Sequence, residues 1–405
     1  MTSAQLTKKF YSVHAWLGLI SGVFLLIISL TGTLLVFGPE IDQLLARDKF
    51  EVTPAAASAR QPLDALVATL HRQYPQGRLV NLRPHPENPA LATIAEVQPT
   101  AAKTKLQVFL NPYTGAVVAT RDKDATLVKT ALQLHERLLW KGPGEVLMGL
   151  VALALLGATI TGLVVYRKSL LKPFSTGIRL DRGLRMTSSD AHKLIGVSTL
   201  LFNLMIATTG FLFHADKFTP GHYAAKKKEA AQPKHQLLGQ VPAGLDALVA
   251  RATTQVPGLR AEVVDFPLHQ GAARLRVKGN TPASVALLGK HNVEVDLHPV
   301  TATVLTVKDV RRAPLGEQLK HVADEIHFGR YGGWPVKALY ALLGLMPGLL
   351  SVSGFILWKK KPVKKAAPAV RPGRARPAAD LLPEVAGAPR ARPAGRARPV
   401  VPAQA

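Results

Sequence analysis

The sequence has 405 residues, of which 47% are hydrophobic and only 19% are charged, a composition typical of an integral membrane protein. The net charge is +25 at pH 7, but residues 359–405 supply +10 of it without interleaved aromatic residues, which argues against a nucleic-acid-binding protein. The chain has no cysteine, so disulfides, thiolate nucleophiles, cysteine-ligated iron–sulfur clusters and covalently attached c-type haem are excluded.

The first apolar run follows Lys8 and Lys9 and predicts transmembrane helix 1 at the end of the segment 1–37. The hydrocarbon core of a bilayer is about 30 Å thick and needs roughly 20 apolar residues of helix, which this run provides. The run is also longer than the apolar part of a cleaved signal peptide. We therefore expect it to remain as a membrane anchor.

The segment 38–143 predicts an extramembrane α+β domain. Its amphipathic helix begins at Leu63, and Asn111-Pro-Tyr-Thr-Gly115 marks a hairpin turn between flanks of strand-forming residues. No catalytic constellation is visible in this domain.

The middle of the chain predicts transmembrane helix 2 at 144–166 and helix 3 at 193–214, separated by a basic loop at 167–192. Positive residues also precede helix 1 and follow helix 4. The positive-inside rule therefore places these segments and both termini in the cytoplasm, in a multi-pass protein of the inner membrane. The two long loops then lie outside, in the periplasm of a diderm bacterium.

The segment 215–333 predicts a second outer α+β domain, since Leu245-Asp-Ala-Leu-Val-Ala repeats the Leu63-Asp-Ala-Leu-Val-Ala of the first. Helix 4 is predicted at 334–358. The remaining residues, 359–405, form a basic tail rich in Ala, Pro and Arg that cannot build a core and is predicted to be disordered.

The helices carry an internal repeat of histidines and glycines. The matched sets are His14/Gly32 with His192/Gly210, each 18 residues apart, and His135/Gly162 with His327/Gly354, each 27 residues apart. Because each half contains two helices, both halves enter the membrane in the same direction, related by a pseudo-twofold axis along the membrane normal.

These motifs resemble a known family. The opening Lys-Lys-Phe-Tyr-Ser-Val-His14-Ala-Trp-Leu-Gly, the Thr-Gly32 segment and the Asn111-Pro-Tyr-Thr-Gly115 turn are similar to the PepSY-associated transmembrane family of iron-regulated inner-membrane proteins. The fold class that follows is a mainly α membrane protein, with four transmembrane helices in two parallel tandem repeats and two extramembrane α+β PepSY-like domains. The resemblance implies a siderophore reductase with b-type haem held between its helices.

The repeat predicts how four histidines pair. His14 and His192 lie near the cytoplasmic ends of helices 1 and 3, so the pseudo-twofold axis brings them face to face. His135 and His327 form the matching pair at the outer side. The two membrane faces are roughly 30 Å apart, so one iron cannot use both pairs. The prediction is therefore two b-type haems, with these four histidines as axial ligands of the haem iron.

Two glycines fit that arrangement. Eighteen residues make five turns of an α-helix, so Gly32 shares a face with His14, and Gly210 shares one with His192. Both glycines are predicted to leave space for the outer haem. The facing of the 27-residue interval stays open, because Gly142-Pro143-Gly144 and Pro335 are expected to interrupt those helices.

The function implied by the resemblance is a di-haem reductase that passes electrons across the membrane to a periplasmic ferric siderophore or another acceptor. No dinucleotide-binding motif is visible, so the donor is expected to be a quinol or a separate reductase. Membrane lipid is the other expected partner, and nucleic acid is not. Two alternatives remain open, a small-solute permease and a membrane-anchored PepSY protein that binds or regulates a peptidase.

Overall fold

The computed structural model describes residues 3–54, 59–99, 104–224, 244–266, 274–289 and 291–360. The predicted tail at 359–405 lies outside the described residues from position 361 onward. The helices and strands below carry the labels used from here on.

The helices are α1 (Ser3–Val36), α2 (Gly38–Leu45), α3 (Arg47–Phe50), α4 (Leu63–Gln73), α5 (Leu127–Arg137), α6 (Pro143–Tyr166), α7 (Lys172–Thr176), α8 (Gly183–Ser198), α9 (Leu200–His214), α10 (Leu245–Gln255), α11 (Leu315–Phe328), α12 (Gly333–Gly344) and α13 (Met346–Lys359). The strands are β1 (Arg78–Arg83), β2 (Thr93–Gln98), β3 (Leu106–Leu110), β4 (Val117–Asp122), β5 (Arg260–Asp265), β6 (Leu275–Asn280), β7 (Val293–Leu297) and β8 (Val304–Asp309).

Among the described residues, three helical stretches are long and apolar enough to cross a membrane, and a bent pair of helices supplies a fourth if it counts as one span. The continuous stretches are Ala4–Val36, Pro143–Ser169 and Gly333–Lys359, the last made of α12 and α13. The chain is therefore a membrane protein, and it also carries a β-sheet.

The third predicted span differs from its prediction. Its helix begins at Gly183, inside the predicted loop 167–192, and α8 and α9 meet at a bend of 68°. The first turns of α8 are polar, so hydropathy does not reveal them. At the bend the hydroxyl of Thr199 donates to the carbonyl of Ile195 at 2.8 Å, a contact that bends helices, and Asn203 donates to Thr199 at 2.9 Å.

The two predicted outer domains share one sheet. The described strands form an eight-stranded antiparallel sheet in the order β4-β3-β2-β1-β5-β6-β7-β8, and the two halves join where Leu82 of β1 pairs with Val264 of β5. Helices α4 and α10 pack with both halves in a shared hydrophobic core. Each half would otherwise expose an open inner edge, and pairing β1 with β5 removes both edges.

A reciprocal pair of aspartates joins α4 and α10 at their first turns. The carboxylate of Asp246 accepts the backbone N–H groups of Leu63 and Asp64, both at 2.9 Å. The carboxylate of Asp64 accepts those of Leu245 and Asp246, at 2.6 and 3.1 Å. Each aspartate thus satisfies the unpaired donors at the start of the other helix, where the helix dipole favours negative charge. This contact gives the repeated Leu-Asp-Ala-Leu motif a structural role.

Two ion pairs hold α2, one to the sheet and one to α12. Arg121 of β4 donates to both carboxylate oxygens of Asp42 in α2, which directly follows α1. Lys337 of α12 pairs with Glu40 of α2. The sheet is therefore fixed to the ends of the helices that enter the membrane.

Replacing Asp246 with Ala should lower the free energy of unfolding by about 1–2 kcal/mol, because two helix N-terminal donors lose their acceptor. The control is Glu87→Ala, since the pair between Glu87 and Arg260 also links the two halves but is exposed and worth little. Thermal unfolding in detergent measures both variants. Equal melting temperatures for the two would contradict this role of the reciprocal caps.

Candidate functional site

The four predicted histidines form two close pairs. The rings of His14 in α1 and His192 in α8 have centroids 6.0 Å apart and planes at 87°. The rings of His135 in α5 and His327 in α11 have centroids 6.4 Å apart and planes at 66°. We call these the inner pair and the outer pair. Each pair takes one histidine from each half of the chain.

The two pairs lie at opposite ends of the helix bundle. The ring of His135 packs against Gly32 of α1, so α1 carries an inner-pair histidine at position 14 and touches the outer pair 18 residues later. At 1.5 Å per residue this separation is roughly 27 Å along the helix axis. The two pairs are therefore separate, one near each end of α1.

Each histidine is held by a hydroxyl residue and a glycine that lie next to each other on an apolar helix of the same half. We call each such dipeptide an anchor. The contacts run from His14 to Thr161-Gly162 of α6, from His135 to Thr31-Gly32 of α1, from His192 to Ser353-Gly354 of α13 and from His327 to Thr209-Gly210 of α9. Each anchor thus belongs to the same half as the histidine that it holds, whereas the two histidines of a pair come from different halves.

The hydrogen bonds of the anchors all involve Nδ1 of the imidazole. His14 lies 2.9 Å from the Ala158 carbonyl and 3.5 Å from Thr161 Oγ1. His135 lies 3.0 Å from the Ile28 carbonyl and 3.1 Å from Thr31 Oγ1. His192 lies 2.9 Å from Ser353 Oγ, and His327 lies 2.8 Å from Thr209 Oγ1. A carbonyl oxygen can only accept, so Nδ1 of His14 and of His135 must carry the proton.

The hydroxyl contacts lead to the same tautomer. Each anchor hydroxyl already donates its hydrogen one turn back along its own helix, Thr209 to the Met205 carbonyl at 2.8 Å and Ser353 to the Leu349 carbonyl at 2.8 Å. These hydroxyls must therefore accept from the histidines, and Nδ1 is the donor in all four. The lone pair of a neutral imidazole then lies on Nε2, the nitrogen that the anchors leave available to a metal.

The outer pair is neutral at physiological pH. His135 and His327 lie on α5 and α11, outside the membrane-spanning stretches. Burial lowers the pKa of His135 to about 4 and the pKa of His327 to about 3. A neutral imidazole is the form of histidine that binds metals.

The histidine rings pack against the anchor glycines, and at two of the four anchors a side chain would start too close to the ring. A Cβ atom on Gly32 would lie 2.9 Å from Cε1 of His135, and one on Gly162 would lie 3.1 Å from Cε1 of His14. The corresponding distances are 3.5 Å for Gly210 and His327 and 3.6 Å for Gly354 and His192. The space that Gly32 and Gly210 leave is therefore filled by an imidazole of the outer pair, at the end of the bundle where the sequence predicts the outer haem.

The donor set of each pair fits a b-type haem. A metal–imidazole bond of about 2 Å places the centroids of two opposed imidazoles roughly 6 Å apart, close to the separations of both pairs. Two protein ligands suffice, because a porphyrin supplies four more. The part of the chain that the structure describes contains no group of three or more His, Asp or Glu side chains able to hold a bare metal ion.

Aromatic side chains surround the outer pair on the α9 side. Phe213 contacts the ring of His327 edge-on at 4.9 Å between centroids, and Phe328 lies at 5.7 Å. Arg330 in turn stacks on Phe328 at 4.3 Å. These side chains cover part of the His327 ring, which is partly buried.

Three further histidines, His214, His222 and His235, lie at the end of α9 and after it. Among the described residues, His214 and His222 belong to no group that could hold a bare metal ion, and His235 lies outside those residues. Nδ1 of His214 is buried without a hydrogen-bond partner, close enough to the outer pair to affect it electrostatically.

The hydroxyl residues of the anchors were not predicted as site residues. Thr31, Thr161, Thr209 and Ser353 each precede a glycine of the repeat, and this recurrence, once in each span, is the signal that identifies them. The open question of the 27-residue interval is also answered. Gly162 faces His14, and not His135, because α5 ends at Arg137 and a new helix begins at Pro143.

Comparison with known proteins identifies two similarities. The family model of the PepSY-associated TM region matches residues 11–361. An uncharacterized protein of Pseudomonas aeruginosa is 26% identical over 265 residues, which cover 59% of this chain. The match spans 64% of that relative's length, less than two thirds of it.

Replacing Gly32 with Ala should destabilise the protein by about 1–3 kcal/mol, because the new methyl group overlaps the His135 ring. The matched variant Gly354→Ala places its methyl at an ordinary contact distance of 3.6 Å from His192 and should be neutral or stabilising, since Ala favours helix. Melting temperatures in detergent test both. A Gly32→Ala protein as stable as Gly354→Ala would show that the ring does not occupy that space.

Proposed function

Since the chain belongs to the PepSY-associated TM family, we propose that it is a di-haem b reductase of the inner membrane that passes electrons to a periplasmic ferric chelate, such as a ferric siderophore. The observation that carries the proposal is the pair of bis-histidine sites, each with two Nε2 lone pairs available and one at each end of the bundle. A b-type haem bound at each pair would supply reversible one-electron redox chemistry.

The proposed topology has four spans, with the inner pair at the cytoplasmic face and the shared sheet, as two PepSY-like halves, in the periplasm. The basic residues support it. Lys8 and Lys9 precede His14 in α1, and Arg179 pairs with Asp190 two residues before His192. Positive charges thus cluster at the inner-pair end of the helices. Both termini are then cytoplasmic.

The sheet is built to position the outer pair. Helix α5 starts shortly after β4, capped by the Thr126 hydroxyl, which accepts the N–H of Lys129 at 3.1 Å, and carries His135 near its end. Helix α11 follows β8 and carries His327 in the same way. An acceptor that binds against the outer domain therefore lies close to the outer pair. We assign this region to the chelate.

The overall reaction balances with a quinol as donor. One quinol gives up two electrons and two protons, and two ferric ions each gain one electron to become ferrous. Ferrous iron binds the oxygen ligands of a siderophore more weakly, so reduction releases the metal. The protein's part is to hold the four imidazoles in place, as the Thr209 hydroxyl and the Phe213 ring do for His327.

A permease is the second candidate, because the bend of 68° at Thr199 and the buried Asn203 resemble the broken helices of transporters. That function leaves the four anchored histidines without a role. Haem content separates the two proposals, since a permease needs none.

The purified full-length protein should bind two b-type haems per chain. His14→Ala and His327→Ala should each lose about half of that haem, because each removes a ligand from one pair. His214→Ala is the control, since His214 lies near the outer pair but belongs to neither pair. Pyridine haemochrome assay and reduced-minus-oxidised spectra provide the measurement. A haem-free protein, produced with adequate haem supply, would overturn the proposal.

Electron transfer across the membrane should require both pairs. In proteoliposomes loaded with a quinol, an external ferric siderophore should be reduced by the wild type, and the rate should fall to background in both His14→Ala and His327→Ala. A ferrous-iron dye outside the vesicles reports the product. If His14→Ala retained the full rate, the inner pair would lie off the electron path and the transmembrane proposal would fail.

A further inference from the structure

We infer that Thr209 is a positioning residue of the outer pair, whose hydroxyl holds His327 with Nε2 available to the haem iron and thereby sets the midpoint potential of the outer haem. The inference rests on the proposed function. It assigns a redox role to a side chain that touches neither the iron nor the acceptor.

The contact of Thr209 with His327 is short and has a defined direction. Thr209 Oγ1 lies 2.8 Å from Nδ1 of His327 and donates its own hydrogen to the Met205 carbonyl, also at 2.8 Å. The hydroxyl is therefore an acceptor for the imidazole. Phe213, one turn further along α9, contacts the same ring edge-on at 4.9 Å. The two side chains fix the ring from one helix face.

The other histidine of the outer pair does not depend on a hydroxyl in this way. His135 donates to the carbonyl of Ile28 at 3.0 Å, as His14 of the inner pair donates to that of Ala158 at 2.9 Å. His192 donates to the hydroxyl of Ser353 at 2.9 Å. For His327, the hydrogen bond that the described residues show is the one to Thr209. A backbone carbonyl survives any side-chain substitution, so within the outer pair His327 is the ligand whose orientation a single side chain controls.

The hydrogen bond should affect the iron through the imidazole. When Nδ1–H donates to a good acceptor, electron density shifts toward Nε2 and makes it a stronger ligand. A stronger axial donor favours the ferric state and lowers the midpoint potential. Loss of the Thr209 hydroxyl should therefore raise the potential of the outer haem and weaken its binding.

The test compares two isosteric variants at the same haem. Thr209→Val removes the acceptor of His327, whereas Thr31→Val leaves His135 its carbonyl at Ile28. Redox titration of the full-length protein should show an upward shift of the outer-haem potential in Thr209→Val that exceeds the shift in Thr31→Val. The haem affinity of the outer site should fall about tenfold in Thr209→Val. The inner haem is the internal reference and should not move.

Thr209→Ser provides the rescue, since it retains the hydroxyl and should restore both the potential and the electron paramagnetic resonance signature of the outer haem. Equal shifts in Thr209→Val and Thr31→Val, or no shift in either, would overturn the inference. So would a Thr209→Ser protein that behaves like the valine variant.

A second measurement separates this inference from the proposed function. Ring-¹⁵N histidine spectra of the full-length protein, compared with those of His327→Ala, report which nitrogen of His327 carries the proton. Should the wild type bind no haem, the proposed function fails. The spectra then still show whether Thr209 accepts the Nδ1–H of His327. A proton on Nδ1 in the wild type and in Thr209→Ser, lost from Nδ1 in Thr209→Val, supports it. A proton on Nε2 in the wild type overturns it.

Discussion

The close packing of an imidazole against a glycine, fixed by a hydrogen bond from Nδ1, is the interaction on which the rest of the bundle depends. A side chain larger than hydrogen at Gly32 or Gly162 would contact the histidine ring too closely. A ring flipped so that Nδ1 faces the other way would lose the acceptor of its N–H group. The contact therefore fixes both the distance between two helices and the orientation of a histidine. Because the contact is made within each half, each half positions its own two histidines through residues of that half.

The outer sheet performs the corresponding task between the halves. Pairing β1 with β5 and the exchanged caps of Asp64 and Asp246 hold the two copies in one symmetric arrangement. The ion pair of Arg121 with Asp42 extends that arrangement to the membrane helices. Both the packing of the apolar helices and the pairing of β1 with β5 therefore contribute to the separation between the histidines of a pair.

Hydropathy predicted the membrane class and the ends of α6, and the internal repeat predicted which histidines lie close together. Other features depend on contacts distant in sequence. Hydropathy could not locate the start of α8, since residues 183–192 are polar, and the spacing of Asp64 and Asp246 does not reveal that each caps the other helix. The contact of Gly162 with His14 was not predictable by counting residues along one helix, because the helix is interrupted at Gly142. Thr209 is part of the repeat in the sequence, but its contact with His327 becomes visible only in the structure.

Because each pair draws one histidine from each half, neither half holds a complete site. A chain divided in the loop between α7 and α8 would give two fragments. Each fragment would keep both of its anchors but would contain only one histidine of each pair. Such fragments could complete both histidine pairs only by associating with each other, and the edges of β1 and β5 are where they would join. The same symmetry makes duplication of a two-span homodimer a direct route to this architecture. The two halves now differ in the acceptor of the outer histidine, which is a backbone carbonyl for His135 and a side-chain hydroxyl for His327.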